Sequence, residues 1–313
     1  MNVFQLGVDN TTEINRNEKY KLFVEGSNNQ ELDAVVLQEL LNNNELDIQV
    51  QTMGACDNVR SAAQALIKHH PNYYFLIDRD NQDQTAVDDS WNKFPDPNVY
   101  NMLVWHKREL ENYFIDPEYL AKSSYLKPET KSKPAIDIEE LKSRILTEAN
   151  RRLFMDAANL TLAKLKKELR EIPITATVFT EFKDNALFDK KTDGWLQLAQ
   201  RSNILDTTIQ TTQTQFLAKN KIENIYNDFV QELSGGLHPL QYGTGAWLER
   251  MSGKEIFRTI TSQCFEVLDS SNKALKGKQQ NNEIAKELMR LPLNQQPSDF
   301  QKLVEILKIR LVK

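Results

Sequence analysis

Residues 73–80 read YYFLIDRD, an apolar run that ends in two aspartates one residue apart. Side chains i and i+2 of a strand point the same way, so Asp78 and Asp80 can both reach one point just beyond its end. Two carboxylates at one point are what a hard divalent cation such as Mg2+ asks for. Upstream, KLFVEG at 21–26 repeats the plan, an apolar strand that delivers Glu25 at its tip with Gly26 after it. If the two strand ends meet, their carboxylates form one site.

Working outward, Lys21–Glu25 reads as a buried strand and GSNNQ (26–30) as a polar turn. Leu32, Val35, Val36, Leu40 and Leu41 follow at helical spacing, up to the Asn42–Asn44 run. Asp47–Met53 alternates like a strand and stops at Gly54. Asp57 is placed to cap a second helix, Val59–His70, that Pro71 ends. After the third strand, Tyr73–Ile77, residues 81–97 are polar and contain FPDP, which reads as a loop, and Val99–Trp105 as a fourth strand. Before all of these, Met1–Lys19 reads as an irregular lead with one edge strand, VFQLGV. Helices between successive strands imply right-handed parallel crossovers and an α/β sheet flanked by helices. In such sheets chemistry gathers at the carboxyl ends of the strands, where Glu25, Asp78 and Asp80 lie.

Glu109 and Glu111, in HKRELENYFIDPEYL, fall at the same edge, just past the fourth strand. Residues 120–135 carry two prolines and read as a linker or exposed loop. Beyond it the pattern is helical: Ile138–Ile172, Phe216–Leu233, Glu255–Leu268, and a last helix from Pro297. The expected division is an α/β domain over 1–119 and a mainly helical C-terminal domain over 120–313.

The chain has 313 residues, 27% charged and 40% hydrophobic, as in an ordinary globular protein. No run approaches the length of a membrane span, and MNVFQLGVDN lacks the pattern of a signal peptide. Two distant cysteines, Cys56 and Cys264, suggest a reducing compartment, and four histidines without a Cys/His cluster argue against structural zinc. The expected location is the cytoplasm, with no membrane. The net charge of −5 conceals an asymmetry: residues 1–119 hold 9 Lys+Arg against 20 Asp+Glu, the rest 30 against 24. An acidic half joined to a basic one suits a metal-binding core with a substrate-gripping appendage, and equally suits unevenly solvated surfaces.

A strand ending in Glu-Gly, a later one ending in Asp-x-Asp, and two crossovers between them resemble the Toprim domain, over about residues 20–115. RELENYFID (108–116) is similar to the Glu-Asn-Tyr segment that closes this region in OLD-like nucleases. GAWLERMSGKEIF (245–257) is similar to the Trp and Gly-Lys-Glu segment of their helical part. Together these stretches resemble the stand-alone Toprim effectors of anti-phage defence systems of the PARIS type, toxins that work beside an ABC-type ATPase.

The resemblance implies an Mg2+-dependent nuclease, with Mn2+ as a substitute ion, cutting RNA such as tRNA, or DNA. It implies Glu25 as general base or metal ligand, Asp78 and Asp80 as metal ligands, and Glu111 completing a second metal position. Lys254 would stabilise charge developing on the phosphate. Two ions about 4 Å apart could activate the attacking water and stabilise the leaving oxygen. It further implies an ABC-type ATPase sensor as partner, and a homodimer as one possible assembly. Many relatives carry an acid four positions after the glutamate, where this chain has Asn29; Asp33, a helical turn further on, is the other candidate, and the number of ions stays open.

Simpler readings stand beside these. Glu109 reads as a surface residue, Glu111 as the start of a helix, Lys254 as a solvated lysine and Trp247 as core. Arg79 either faces the opposite side or touches substrate. The basic stripe Arg151–Arg170 reads as a solvated helix face, and His69 and His70 as a basic helix terminus. A docking subunit of an ATPase complex with a vestigial site is the alternative function. A phosphoacceptor role for Asp78 is a third, which leaves Glu25 and the ENY segment unexplained.

Overall fold

In a computed structural model, residues 20–80, 82–96, 100–128, 134–171 and 218–311 are described. The lead expected over Met1–Lys19 lies outside them. Four strands, β1 (Tyr20–Val24), β2 (Ile48–Thr52), β3 (Tyr73–Ile77) and β4 (Met102–Val104), form one sheet in the order β2-β1-β3-β4, every pair parallel. Helices α1 (Leu32–Asn43) and α2 (Cys56–Leu66) make the crossovers from β1 to β2 and from β2 to β3. The α/β sheet and the helical C-terminal region therefore stand as the sequence patterning implies. Because β1 lies between β2 and β3, the crossover from β1 to β2 runs one way along the sheet and the crossover from β2 to β3 runs back past β1. The direction thus reverses between β1 and β3, and open α/β sheets place their ligands at the carboxyl edge of such a switch point.

The strands are short and buried, YKLFV and YYFLI, with Leu22, Tyr74 and Phe75 fully enclosed. Residues 81–97, expected as a loop, instead contain α3 (Gln84–Lys93), capped by Asp83 through a 2.9 Å bond from the Ala86 amide. Its only long-range apolar anchors are Val87 and Trp91, too few to stand out from a polar stretch. The second helix starts at Cys56 behind Ala55, ahead of the expected Asp57 cap, and ends at Leu66. His69 and His70 thus lie beyond it, and His70 stacks on Tyr73 at 4.5 Å.

Two compact units divide the chain differently from the expected boundary at 119/120. One joins Met1–Glu148 with Leu248–Lys313, and the other is Ala149–Trp247. The physical reason is aromatic packing. After the short α4 (Pro117–Leu120), α5 (Ile138–Glu171), α6 (Lys219–Ser234) and α7 (Trp247–Arg250), the chain forms α8 (Gly253–Cys264), α9 (Gly277–Met289) and α10 (Ser298–Leu311). Phe257 from α8 packs on Phe114 at 5.3 Å, and Phe300 from α10 on Trp105 at 5.4 Å and Tyr113 at 5.0 Å. Each of these phenylalanines is fully buried, worth about 1.5–3 kcal/mol of apolar transfer. Along α1, Asn282 donates to the Gln30 carbonyl, and Arg290 pairs with Glu39 at 2.7 Å. The C-terminal helices thus complete the core around the sheet.

In the other unit, Trp247 is buried, its indole donating to the Gln241 carbonyl at 3.0 Å, and α6 ends on Gly235 in the left-handed region. The basic stripe of α5 is not uniformly solvated: Arg152 is buried and pairs with Asp156 at 3.3 Å, whereas Lys164, Lys166 and Lys167 are exposed. No described helix is long and apolar enough to cross a membrane.

Candidate metal centre

The adjacency of β1 and β3 brings their ends together. In register, Phe23 faces Phe75, so Glu25 follows its strand where Asp78 follows the neighbouring one. The Asp78 amide donates to Glu25 Oε1 at 3.1 Å. Gly26 is needed here. Its φ of 133° lies in the left-handed half of the map, and a Cβ would come within 2.8 Å of Glu31 Cγ and 2.9 Å of Thr52 Cγ2. Without a side chain it exchanges two backbone bonds with Gly54, at 2.9 and 2.8 Å, which tie the Glu25 turn to the end of β2.

Asp78 and Asp80 do not act as an extended i, i+2 pair. The strand stops at Ile77 and Asp80 takes a φ of 48°, so the extended alternation does not continue, and Asp80 rather than Asp78 groups with Glu25 and Cys56. Asp80, exposed, converges with Glu25 and Cys56: one donor atom from each lies within 4.8 Å of the others. Cys56 opens α2 just after β2, so the trio hangs from three neighbouring strands. It was not a sequence candidate, because a lone cysteine without metal-ligand spacing carries no signal.

Asp78 belongs to the other side of the cluster, where Asp33 and Glu111 are its strongest electrostatic neighbours, ahead of Glu25. Glu111 lies in the 3-10 turn Leu110–Tyr113 and is 5% exposed. Asp33 enters from the first turn of α1. Asn29 does not join them, since its Oδ1 accepts from the Thr52 amide at 3.0 Å and the Thr52 hydroxyl at 3.1 Å. The choice between Asn29 and Asp33 thus falls on Asp33.

Every one of these acids is pushed up. Burial, then the Asp80 charge, raises Glu25 to about 7. Burial raises Asp33 to about 6, against the pull of Lys254. Burial and then Asp33 raise Glu111 to about 8. Asp78 rises well above the carboxylate range for the same reasons, and Asp80, open to solvent as a residue, rises because its carboxyl is partly withdrawn from water, with Arg108 opposing the shift. Asp78 Oδ1 is out of reach of solvent and has no hydrogen-bond partner among the described residues. A buried carboxylate oxygen without a partner is costly, and a cation both satisfies it and allows its neighbours to ionise. An oxygen-rich set of this kind fits Mg2+ or Mn2+, and the added thiol widens it toward softer ions.

Lys254, on the first turn of α8, is exposed along its side chain, yet its ammonium is raised by Glu111 first, against burial, with Glu109, Asp33 and Asp78 adding to it. Exposure tempers that attraction, but its direction keeps the lysine charged beside the cluster. Glu109, expected at the surface, is turned inward to accept the Lys254 amide at 2.8 Å. Arg79 faces the opposite side. It donates to the carbonyls of His106 at 2.8 Å and Gln82 at 3.2 Å, and lines a cavity of about 640 Å3 that holds none of the clustered acids.

Glu25, Asp78, Asp80, Glu111 and Lys254 thus form one electrostatic cluster at the carboxyl edge of the sheet, Asp33 and Cys56 join it, and Arg79 lines a separate cavity. Compared with known proteins, the chain matches no family model and no curated protein.

Proposed function

We propose that this protein is a metal-dependent nuclease of the Toprim type, cutting phosphodiester bonds in RNA such as tRNA, or in DNA. The observation that carries the reading is the buried Asp78 Oδ1, without a hydrogen-bond partner among the described residues, within a ring of acids at the switch point of a parallel sheet. Glu25, Asp78, Asp80 and Glu111 would hold Mg2+ or Mn2+, with Asp33 and Cys56 beside them. Such an ion supplies Lewis-acid polarisation of the phosphate and a more acidic water.

The chain's own groups would do the rest. Glu25, oriented by the Asp78 amide, is placed to accept the proton of a water attacking phosphorus once the cation keeps the cluster ionised. Lys254 offers a permanent positive charge against the oxygens of the phosphate as the bond to the leaving oxygen breaks. The likeness of the ENY and Gly-Lys-Glu stretches to anti-phage effectors supports a toxic role in defence, held in check by an ABC-type ATPase partner.

The test is incubation of purified wild type and Glu25→Ala with total tRNA and with plasmid DNA, in Mg2+ or Mn2+. Cleavage that the variant loses supports the nuclease and identifies its polymer. Absence of cleavage, repeated with the ATPase partner and its trigger present, overturns it in favour of a docking subunit.

A further inference from the structure

The ENY turn and the Gly-Lys-Glu stretch, 136 to 145 positions apart, are joined into one backbone clasp. Asn112, fully buried, commits its whole carboxamide to it. Nδ2 donates to the carbonyls of Leu248 and Met251, both at 3.0 Å, and Oδ1 accepts the Glu109 amide at 3.0 Å. From the other side, the Glu109 carboxylate accepts the Lys254 amide at 2.8 Å and the Ser252 hydroxyl at 3.2 Å. Helix α8 begins so close that a Cβ on Gly253 would lie 2.5 Å from the Asn112 nitrogen, which leaves glycine as the residue that fits.

The same returning segment reaches the other carboxylates. The Arg108 amide donates to the Glu249 carbonyl at 2.7 Å, and the Arg108 carbonyl accepts the Asp80 amide at 3.1 Å. Asp80 holds a left-handed φ, a conformation aspartate tolerates better than most residues, and the Arg108 carbonyl fixes its amide there.

We propose that Asn112 is a positioning residue of the metal centre: by clasping Leu248 and Met251 it sets Glu111 and Lys254 against Asp78 and Asp33. The inference rests on the carboxylates being a cation site, not on which polymer is cut. With its three carboxamide bonds committed to backbone groups, Asn112 is no ligand. Groups that orient ligands in this way change metal affinity roughly 10–100-fold when altered.

The test is a double-mutant cycle read as Mn2+ affinity, from the paramagnetic signal of free Mn2+, on full-length protein without nucleic acid. Asn112→Asp keeps the volume and the acceptor but turns an oxygen on the Leu248 and Met251 carbonyls. It is expected to weaken Mn2+ binding roughly tenfold, and to lose most of that effect in the Glu111→Gln background. An equal loss in both backgrounds, or no loss in the wild-type background, overturns the proposal. Ser252→Ala, which loosens the same clasp gently, stands in if Asn112→Asp does not fold. It predicts a smaller loss in the same direction, and an unchanged affinity overturns the idea. Wild-type protein that binds no Mn2+ overturns both the clasp and the metal centre. A cycle that behaves as expected in a protein that cuts neither tRNA nor DNA supports the clasp and defeats the nuclease reading alone.

Discussion

On one side of the acidic cluster, Glu25, Cys56 and Asp80 hang from the ends of three neighbouring strands, and their donor atoms already lie within 4.8 Å of one another. On the other side, Asp33, Asp78 and Glu111 are more deeply set, and Glu111 comes from a turn held by a distant segment. The first side is a product of sheet topology, and the second of long-range packing. A sheet edge brings donors together cheaply, because the strands are paired for other reasons. Burying three acids beside one another raises their protonation instead, and that cost remains until a cation arrives.

The largest effect that would break this contrast is on catalysis. Glu25→Ala is expected to lower cleavage by roughly 10²–10⁴-fold, the usual worth of a positioned base. An initial-rate assay that finds Glu25→Ala as active as wild type would remove the strand-edge side from the chemistry.

Next is stability without metal. Glu111, Glu25 and Asp33 hold protons up to about 8, 7 and 6, whereas the unfolded chain releases them near 4.5, 4.5 and 3.8. Folded pKa values above unfolded ones mean stability that is fully present below about pH 4 and lost as pH rises through 6, 7 and 8. The Tm of protein in chelator should therefore fall from pH 5 to pH 8, and Mg2+ should raise it more at pH 8 than at pH 5. Asp78→Asn should raise the chelator Tm at pH 8 by an amount equal to about 1–2 kcal/mol while weakening metal binding. A flat profile would mean that the deeper side is not under electrostatic strain.

Smaller again is the response of the thiol. Cys56→Ser should weaken Cd2+ roughly tenfold, about 1.4 kcal/mol, and abolish the thiolate-to-metal ultraviolet band, while Mg2+ affinity holds. A Cd2+ complex of wild type without that band would place Cys56 outside the trio. The smallest effect belongs to Asn29→Asp. Because Asn29 faces Thr52, the number of Mn2+ ions bound should not change; an additional ion would show that the side chain can turn into the cluster.

The parallel sheet was legible because YKLFV and YYFLI are short apolar runs bounded by polar turns, and α1 because its apolar residues keep helical spacing. Helix α3 was not legible, since only Val87 and Trp91 anchor a stretch that otherwise reads as polar. Glu25, Asp78 and Asp80 could be named from position alone, as acids at strand tips. Cys56 and Asp33 could not, because nothing in their spacing distinguishes a residue that turns toward the cluster from one that does not. Glu109 looks like any surface acid in the sequence because the helix whose amide it accepts begins far along the chain.

By itself, then, the sequence determined where the strands lie, that the first two crossovers are helical, and that acids stand at two strand tips, since these follow from local periodicity. Tertiary structure decided that β1 neighbours β3, that Asp80 rather than Asp78 joins Glu25 and Cys56, and that α8, α9 and α10 pack into the core around the sheet. Those outcomes depend on pairings between residues distant along the chain. Their free energy comes from burying surfaces that local patterning cannot match to one another.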